Sequence, residues 1–119
     1  MILECIGIVV HPDNREDVRR GLASLIGPTK VKPGCIDCQL YQNSANANEF
    51  HLESQWRTMD DFLLHVCSHL YRTLLVLLET SVLPPTIEFH EVTQTYGLDL
   101  VRVAREQHGS VSPRVGSGL

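Results

Sequence analysis

No stretch of this sequence approaches the roughly 20 consecutive apolar residues that a membrane-crossing helix needs. The most apolar run, Leu74 to Leu78, is closed off by Arg72 and Glu79. An excess of positive charge is missing too: 10 Lys and Arg stand against 14 Asp and Glu, a formal net charge of −4. No Lys/Arg stripe follows any element, so phosphate backbones are repelled and nucleic acid is not an expected partner. A membrane is not expected either. The opening MILECIGIVVHP lacks the basic start and small-residue cleavage site of a secretion signal, and Glu4 interrupts its apolar residues. It reads as a strand, and the protein is expected to stay in the cytoplasm. In that reducing compartment Cys5, Cys35, Cys38 and Cys67 default to free thiols that pack as small hydrophobes.

What is present is an ordinary globular mixture, 43% hydrophobic and 20% charged in 119 residues, enough for one core and too little for two. Ile2 to Val10 is rich in β-branched residues and reads as a first strand. Asp13, with Glu16 three residues on, is expected to cap a helix carrying Val18, Leu22, Leu25 and Ile26, which Gly27-Pro28 should stop. Strands follow over 35–42 and 49–57, joined by the polar turn NSANAN. Thr58 caps the next helix, whose Phe62, His65 and Val66 share a face, and Ser68 caps a leucine-rich one ended by Pro84-Pro85. A fourth strand is expected over 86–96. The order is β-α-β-β-α-β, an α+β ferredoxin-like sandwich. Residues 1–96 form this domain, 97–108 an extension that is helix or strand, and 109–119 a tail expected to be disordered.

Both faces of the first strand are largely apolar: Ile2, Glu4, Ile6 and Ile8 on one, Leu3, Cys5, Gly7 and Val9 on the other. Helices in this order cover one face of the sheet. The open face needs a second cover, and packing two sheets face to face provides it, so a homodimer is expected.

PGCIDCQLYQ, FHLESQW and DDFLLHVCSHLYRTLLVLLE, in this order and spacing, resemble the antibiotic biosynthesis monooxygenase family. Pro33, Gly34, Cys35, Tyr41, Gln42, Phe50, Trp56, Phe62, His65, Ser68 and Arg72 match its pattern over about residues 2 to 96. The resemblance implies a dimeric α+β barrel. It implies mixed chemistries: cofactor-independent oxidation of quinols or aromatics by O₂, haem degradation, or isomerisation of a phosphorylated signal. This chain has Ser54 where the family often places a Glu two residues before the Trp. The haem-binding branch's positions hold Ile6, His65 and Leu75, which disfavours haem. Arg72 alone is too little positive charge for the phosphorylated substrate of the isomerases.

A cofactor-independent monooxygenase needs a base, an apolar water-poor pocket and donors for an oxyanion. His65 is the candidate base, since imidazole titrates near pH 6.5. Trp56, Phe62 and Tyr71 are candidates to hold a small aromatic or quinol substrate. No metal or other cofactor is expected. Cys35 and Cys38, three apart on a strand, should point to opposite faces, and His65 and His69 fall on either side of the Ser68 cap. Glu4, Glu88 and His90 are further titratable groups that could face the pocket, with a solvated or rim placement the blander option for Glu88. The expected function is therefore oxidation of a quinol or aromatic with O₂. The alternatives are a non-catalytic small-ligand-binding protein of the same fold, or an isomerase of a small signalling molecule.

Overall fold

A computed structural model describes residues 1–109, and its architecture follows from alternation along the first strand. In β1 (Ile2–Val9), Ile2, Glu4, Ile6 and Ile8 are buried on one face. β1 lies between β3 (Glu49–Trp56) and β4 (Thr86–Glu91), antiparallel to both. β2 (Cys35–Gln42) pairs with β3, so the order is β2-β3-β1-β4. α1 (Arg15–Lys30), α2 (Met59–Val66) and α3 (His69–Leu78) lie on one side, with α1 against β2 and α3. The main core gathers Ile6, Ile8, Leu22, Leu25, Phe50 and Leu74 between sheet and helices. This is the expected α+β ferredoxin-like fold, with its second helix broken in two. No single helix among the described residues is long and apolar enough to cross a membrane.

Four expectations are corrected. α1 is not capped by Asp13; a 3₁₀ turn, Pro12–Asn14, precedes it, and the Asp13 N–H donates to His11 Nδ1 (3.1 Å). Glu16 pairs instead with Arg19, one turn along the exposed face (2.6 Å). Nor does Pro28 stop α1, which runs to Lys30 because its buried stripe, Val18, Leu22 and Leu25, continues to Thr29. β4 ends at Glu91, short of Tyr96, where Val92 closes the sheet on Met1. The last correction concerns Cys35 and Cys38. Ile36 is an extra residue in β2, so Cys35 pairs with Trp56 and Cys38 with Ser54. Such a bulge resets the side-chain alternation. Both thiols therefore face the helices, and both are free. Burial, reinforced by nearby Cys35, pushes the Cys38 thiol up to about 12, leaving it inert.

The extension is a helix, α4 (Leu98–His108), ended at Gly109. The remainder of the tail, 110–119, lies outside the described residues. The open face of the sheet is also less apolar than the pattern of β1 suggests. Leu3, Cys5 and Val9 are only half-buried there, flanked by Glu49, His51 and Glu53 of β3 and by Glu88 and His90 of β4.

One glycine fixes how α2 meets the sheet. Gly34 has φ +79°, and its carbonyl accepts the Arg57 N–H (2.8 Å). A Cβ at this position would collide with the Asp61 side chain at the start of α2. Gly34→Ala should lower the unfolding free energy by about 1–3 kcal/mol, from backbone strain and this clash. A urea titration reads the change as a lower midpoint at unchanged slope.

Candidate active site

The site forms where a carboxyl is forced into the core. Glu4 sits on the buried face of β1, only 1% exposed, between Ile2 and Ile6. Register places it opposite Ser54 on β3. Ser54 Oγ–H donates to Glu4 Oε1 (2.9 Å), and Trp56 Nε1–H donates to Ser54 Oγ (2.8 Å). From α3, the Tyr71 hydroxyl bonds Glu4 Oε2 (2.7 Å). An indole N–H can only donate. The Ser54 hydroxyl donates to Glu4 while its oxygen accepts from the indole, and the Tyr71 bond can reverse when Glu4 gains a proton.

His65 closes the site. Its ring stacks on Trp56 (centroids 4.5 Å, 24° between planes) and meets Tyr71 edge-on (5.2 Å, 89°). Phe62 packs against Trp56 at 6.2 Å and reaches Phe89 of β4 at 5.2 Å. The caps explain how α2 and α3 present these groups. The Asp61 N–H donates to Thr58 Oγ1 (3.1 Å) and the Tyr71 N–H to Ser68 Oγ (3.3 Å). The two helices therefore meet at a 67° bend, and His65 and Tyr71 converge across it.

His65 Nδ1 is buried with no hydrogen-bond partner. Its ring borders two spaces. Inward lies an enclosed cavity of about 10 Å³ lined by Glu4, Cys38, Ser54, Tyr71 and apolar side chains. That is room for about one water molecule. Outward lies an open groove of about 110 Å³ bordered by Lys32, Pro33, Trp56, Asp61 and Leu64.

Burial pushes the Glu4 carboxyl above its ordinary range, against the opposing pull of its bonds from Tyr71 and Ser54. Burial, with the positive Lys32 nearby, holds His65 down at about 4, so its imidazole is neutral at physiological pH. Tyr71 is pushed well above the usual phenol value by burial and by its bond to Glu4.

The sequence profile of the antibiotic biosynthesis monooxygenases matches residues 1–75. The chain belongs to this family. A Deinococcus radiodurans protein assigned by name to the same family superimposes with a TM-score of 0.74 at 13% identity, over 82% of this chain and 97% of that one. A Mycobacterium tuberculosis protein gives 0.72 at 21% identity, over 81% and 98% of the two chains. One from Methanosarcina mazei gives 0.70 at 22%, over 76% and 90%. Likeness at these identities shows the shared fold. Among proteins with curated descriptions none matches the chain.

All four residues singled out for the site, Trp56, Phe62, His65 and Tyr71, come together. Glu88 and His90 do not join them; they pair with each other at 3.1 Å on the open face of the sheet. The haem-branch positions do not supply ligands either, since Ile6 lies in the core and Leu75 is exposed. Sequence reasoning named Glu4 as a group that could face the pocket, and the structure places it there; it gave Ser54 no role. The signal for Glu4 was its place as the one charged residue on an apolar strand face. Where the family resemblance leads one to look for a carboxyl at position 54, this antibiotic biosynthesis monooxygenase homologue carries it directly across the ladder.

The two buried titratable groups act on stability in opposite directions. Raised in the folded state, Glu4 contributes stability that is complete below its unfolded value near 4.5 and is lost as pH rises through the folded value. Lowered to about 4, His65 contributes stability present above 6.5 and lost as pH falls from 6.5 toward 4. Glu4→Gln keeps an acceptor for Ser54 and a donor for Tyr71, so it should be at least as stable as the parent at pH 8. Glu4→Ala strands both hydroxyls and should cost about 2–4 kcal/mol. His65→Phe keeps the stack on Trp56 and should abolish the acid-side loss, about 3 kcal/mol at most. Urea midpoints at pH 4.5, 6 and 8 separate the three variants.

Proposed function

We propose that this protein is a cofactor-independent monooxygenase that oxidises a small quinol or phenolic aromatic with O₂. The observation that carries the reading is a buried carboxyl, Glu4, hydrogen-bonded to a phenol and a hydroxyl and set behind a neutral imidazole. Family membership supports the reaction class, and the aromatic walls suit a flat ring. In this reading the substrate ring enters through the groove beside Lys32 and Asp61, displacing His65 from Trp56. Glu4 is the proton acceptor, because burial raises the basicity of its carboxylate, whereas burial depresses that of the His65 imidazole. The Tyr71 hydroxyl passes the proton, since its bond to Glu4 is the reversible one. His65, accepting through its open Nδ1, orients the substrate hydroxyl.

The chemistry balances without further reactants. A hydroquinone loses a hydroxyl proton, and its anion transfers an electron to O₂. The resulting radical pair joins as a C–O bond to a peroxide. The O–O bond then breaks, leaving one oxygen on the ring and releasing the other as water. Hydroquinone plus O₂ gives hydroxyquinone plus water, with four electrons moved from substrate to oxygen. A closed site favours recombination of the semiquinone radical with superoxide over escape of superoxide to water.

The small size of the inner cavity favours a second reading, a ligand-binding protein of the same fold that performs no reaction. Oxygen uptake with a panel of hydroquinones and dihydroxynaphthalenes across pH 5 to 9 distinguishes the two. The enzyme reading expects consumption of one O₂ per quinol, with a rate that rises through the Glu4 titration. Glu4→Gln should lower that rate by roughly 10²–10⁴, while His65→Ala should be slow without an inflection near pH 6.5. Quinol binding without oxygen uptake by the wild type supports the binding protein instead.

A further inference from the structure

Among the described residues, α4 is a helix without a packing partner. None of its residues is buried, and Leu98, Leu100, Val101 and Val103 are about half exposed or more. Leu100, Val101 and Ala104 fall on one side of it, Asp99, Arg102 and Glu106 on the other. An isolated helix of this length is marginal in water. The radius of gyration is 18.4 Å, where a packed chain of this size gives roughly 13 Å. α4 stands off its own domain.

Among the described residues there is also an apolar patch with no cover. α1, α2 and α3 sit over β1, β2 and β3, and all six residues of β4 are exposed. Register puts Ile87, Phe89 and Glu91 of β4 on the helix side of the sheet, opposite Ile6, Glu4 and Ile2. Ile87 is 41% and Phe89 51% exposed there, beside the exposed Met59 and Leu63 on the adjoining flank of α2. Glu91 follows Ile87 and Phe89 on the same side of β4, and Arg105 lies at the edge of the apolar side of α4. Polarity and charge are complementary.

We propose that α4 crosses to a second copy of this chain and lies on its β4–α2 patch, each copy giving one arm and receiving one. Exchange about a two-fold axis uses the same two surfaces on both copies and leaves neither arm uncovered. It also reaches the candidate site, because the Phe62 ring that Phe89 supports is the one packed on Trp56. The arm of the partner is thus the outer brace of the aromatic wall. The inference holds whichever reaction the site performs.

Cross-linking between full-length chains tests it without reference to activity. In a background where exposed Cys67 is replaced (Cys67→Ser), one chain carries Ile87→Cys and another Val101→Cys. All these positions are on the surface, so folding is preserved. The two chains are mixed and treated with a short bismaleimide, and the joined peptides are mapped by mass. A 87–101 cross-link in the mixture is the expected result, since each chain alone lacks one of the two thiols. Sedimentation should show Val101→Asp weakening self-association at least tenfold. No 87–101 link in the mixture overturns the proposal. So does a doubly substituted chain that yields that link only within one chain at high dilution. Unchanged self-association of Val101→Asp overturns it as well.

Discussion

Everything at this site follows from one costly placement, a carboxyl on the core face of β1. Burying an unpaired carboxylate costs several kcal/mol, so its oxygens must be satisfied where they lie. Ser54 and Tyr71 satisfy them, and Trp56 in turn orients Ser54. Because the indole can only donate, the chain of bonds has a fixed direction up to Glu4. Beyond Glu4 it has two states, one for each protonation state. A fully apolar core would hold the same fold with greater stability. The polar chain adds a single proton site whose change of state needs no more than rotation of one hydroxyl.

The break between α2 and α3 is the second requirement. In an unbroken helix, residues 65 and 71 would be six apart and separated by roughly 240° around the axis. They could not face one another across a common space. Ser68, extended and bonded to the Tyr71 N–H, restarts the helix at a new angle, and this brings the His65 ring edge-on to Tyr71. A sequence element that looks like a defect in the helix is what assembles the site from two sides. The sheet holds Glu4, Ser54 and Trp56 in register, while the helices bring His65 and Tyr71 to them.

Most of this was legible in the sequence because periodicity and caps are local signals. The order of elements, the Thr58 and Ser68 caps and the four aromatic or imidazole residues of the site could all be read from spacing and resemblance. Three features were not. The Ile36 bulge turns Cys35 and Cys38 to one face, and nothing in CIDC distinguishes a bulged strand from a regular one. Pro28 inside α1 runs against local propensity and is overridden by the burial of Thr29, a tertiary effect. The polar character of the open face depends on which residues stand beside β1, and that is set by the β3 and β4 registers. Glu4 could be named as a group able to reach the pocket, but its bonds could not be. Its partners are 50 and 67 residues away, and only the fold brings them within bonding distance.

His65 decides how such a closed site can admit anything. Its Nδ1 is buried without a partner, which costs roughly 1–3 kcal/mol in the closed state. What holds it in place is the stack on Trp56, a contact worth about 0.5–1.5 kcal/mol beyond burial of the rings. The two terms are comparable, whereas the Glu4 network has every bond made. Opening therefore begins at His65 rather than at Glu4, and a ligand that offers a hydroxyl to Nδ1 removes the cost of the orphaned atom. The depressed basicity of the imidazole serves the same end. A protonated His65 would be a donor beside positive Lys32, whereas a neutral one can accept from an incoming hydroxyl. In the proposed reaction its low value makes it a weak base and a suitable receptor, which leaves the proton to Glu4.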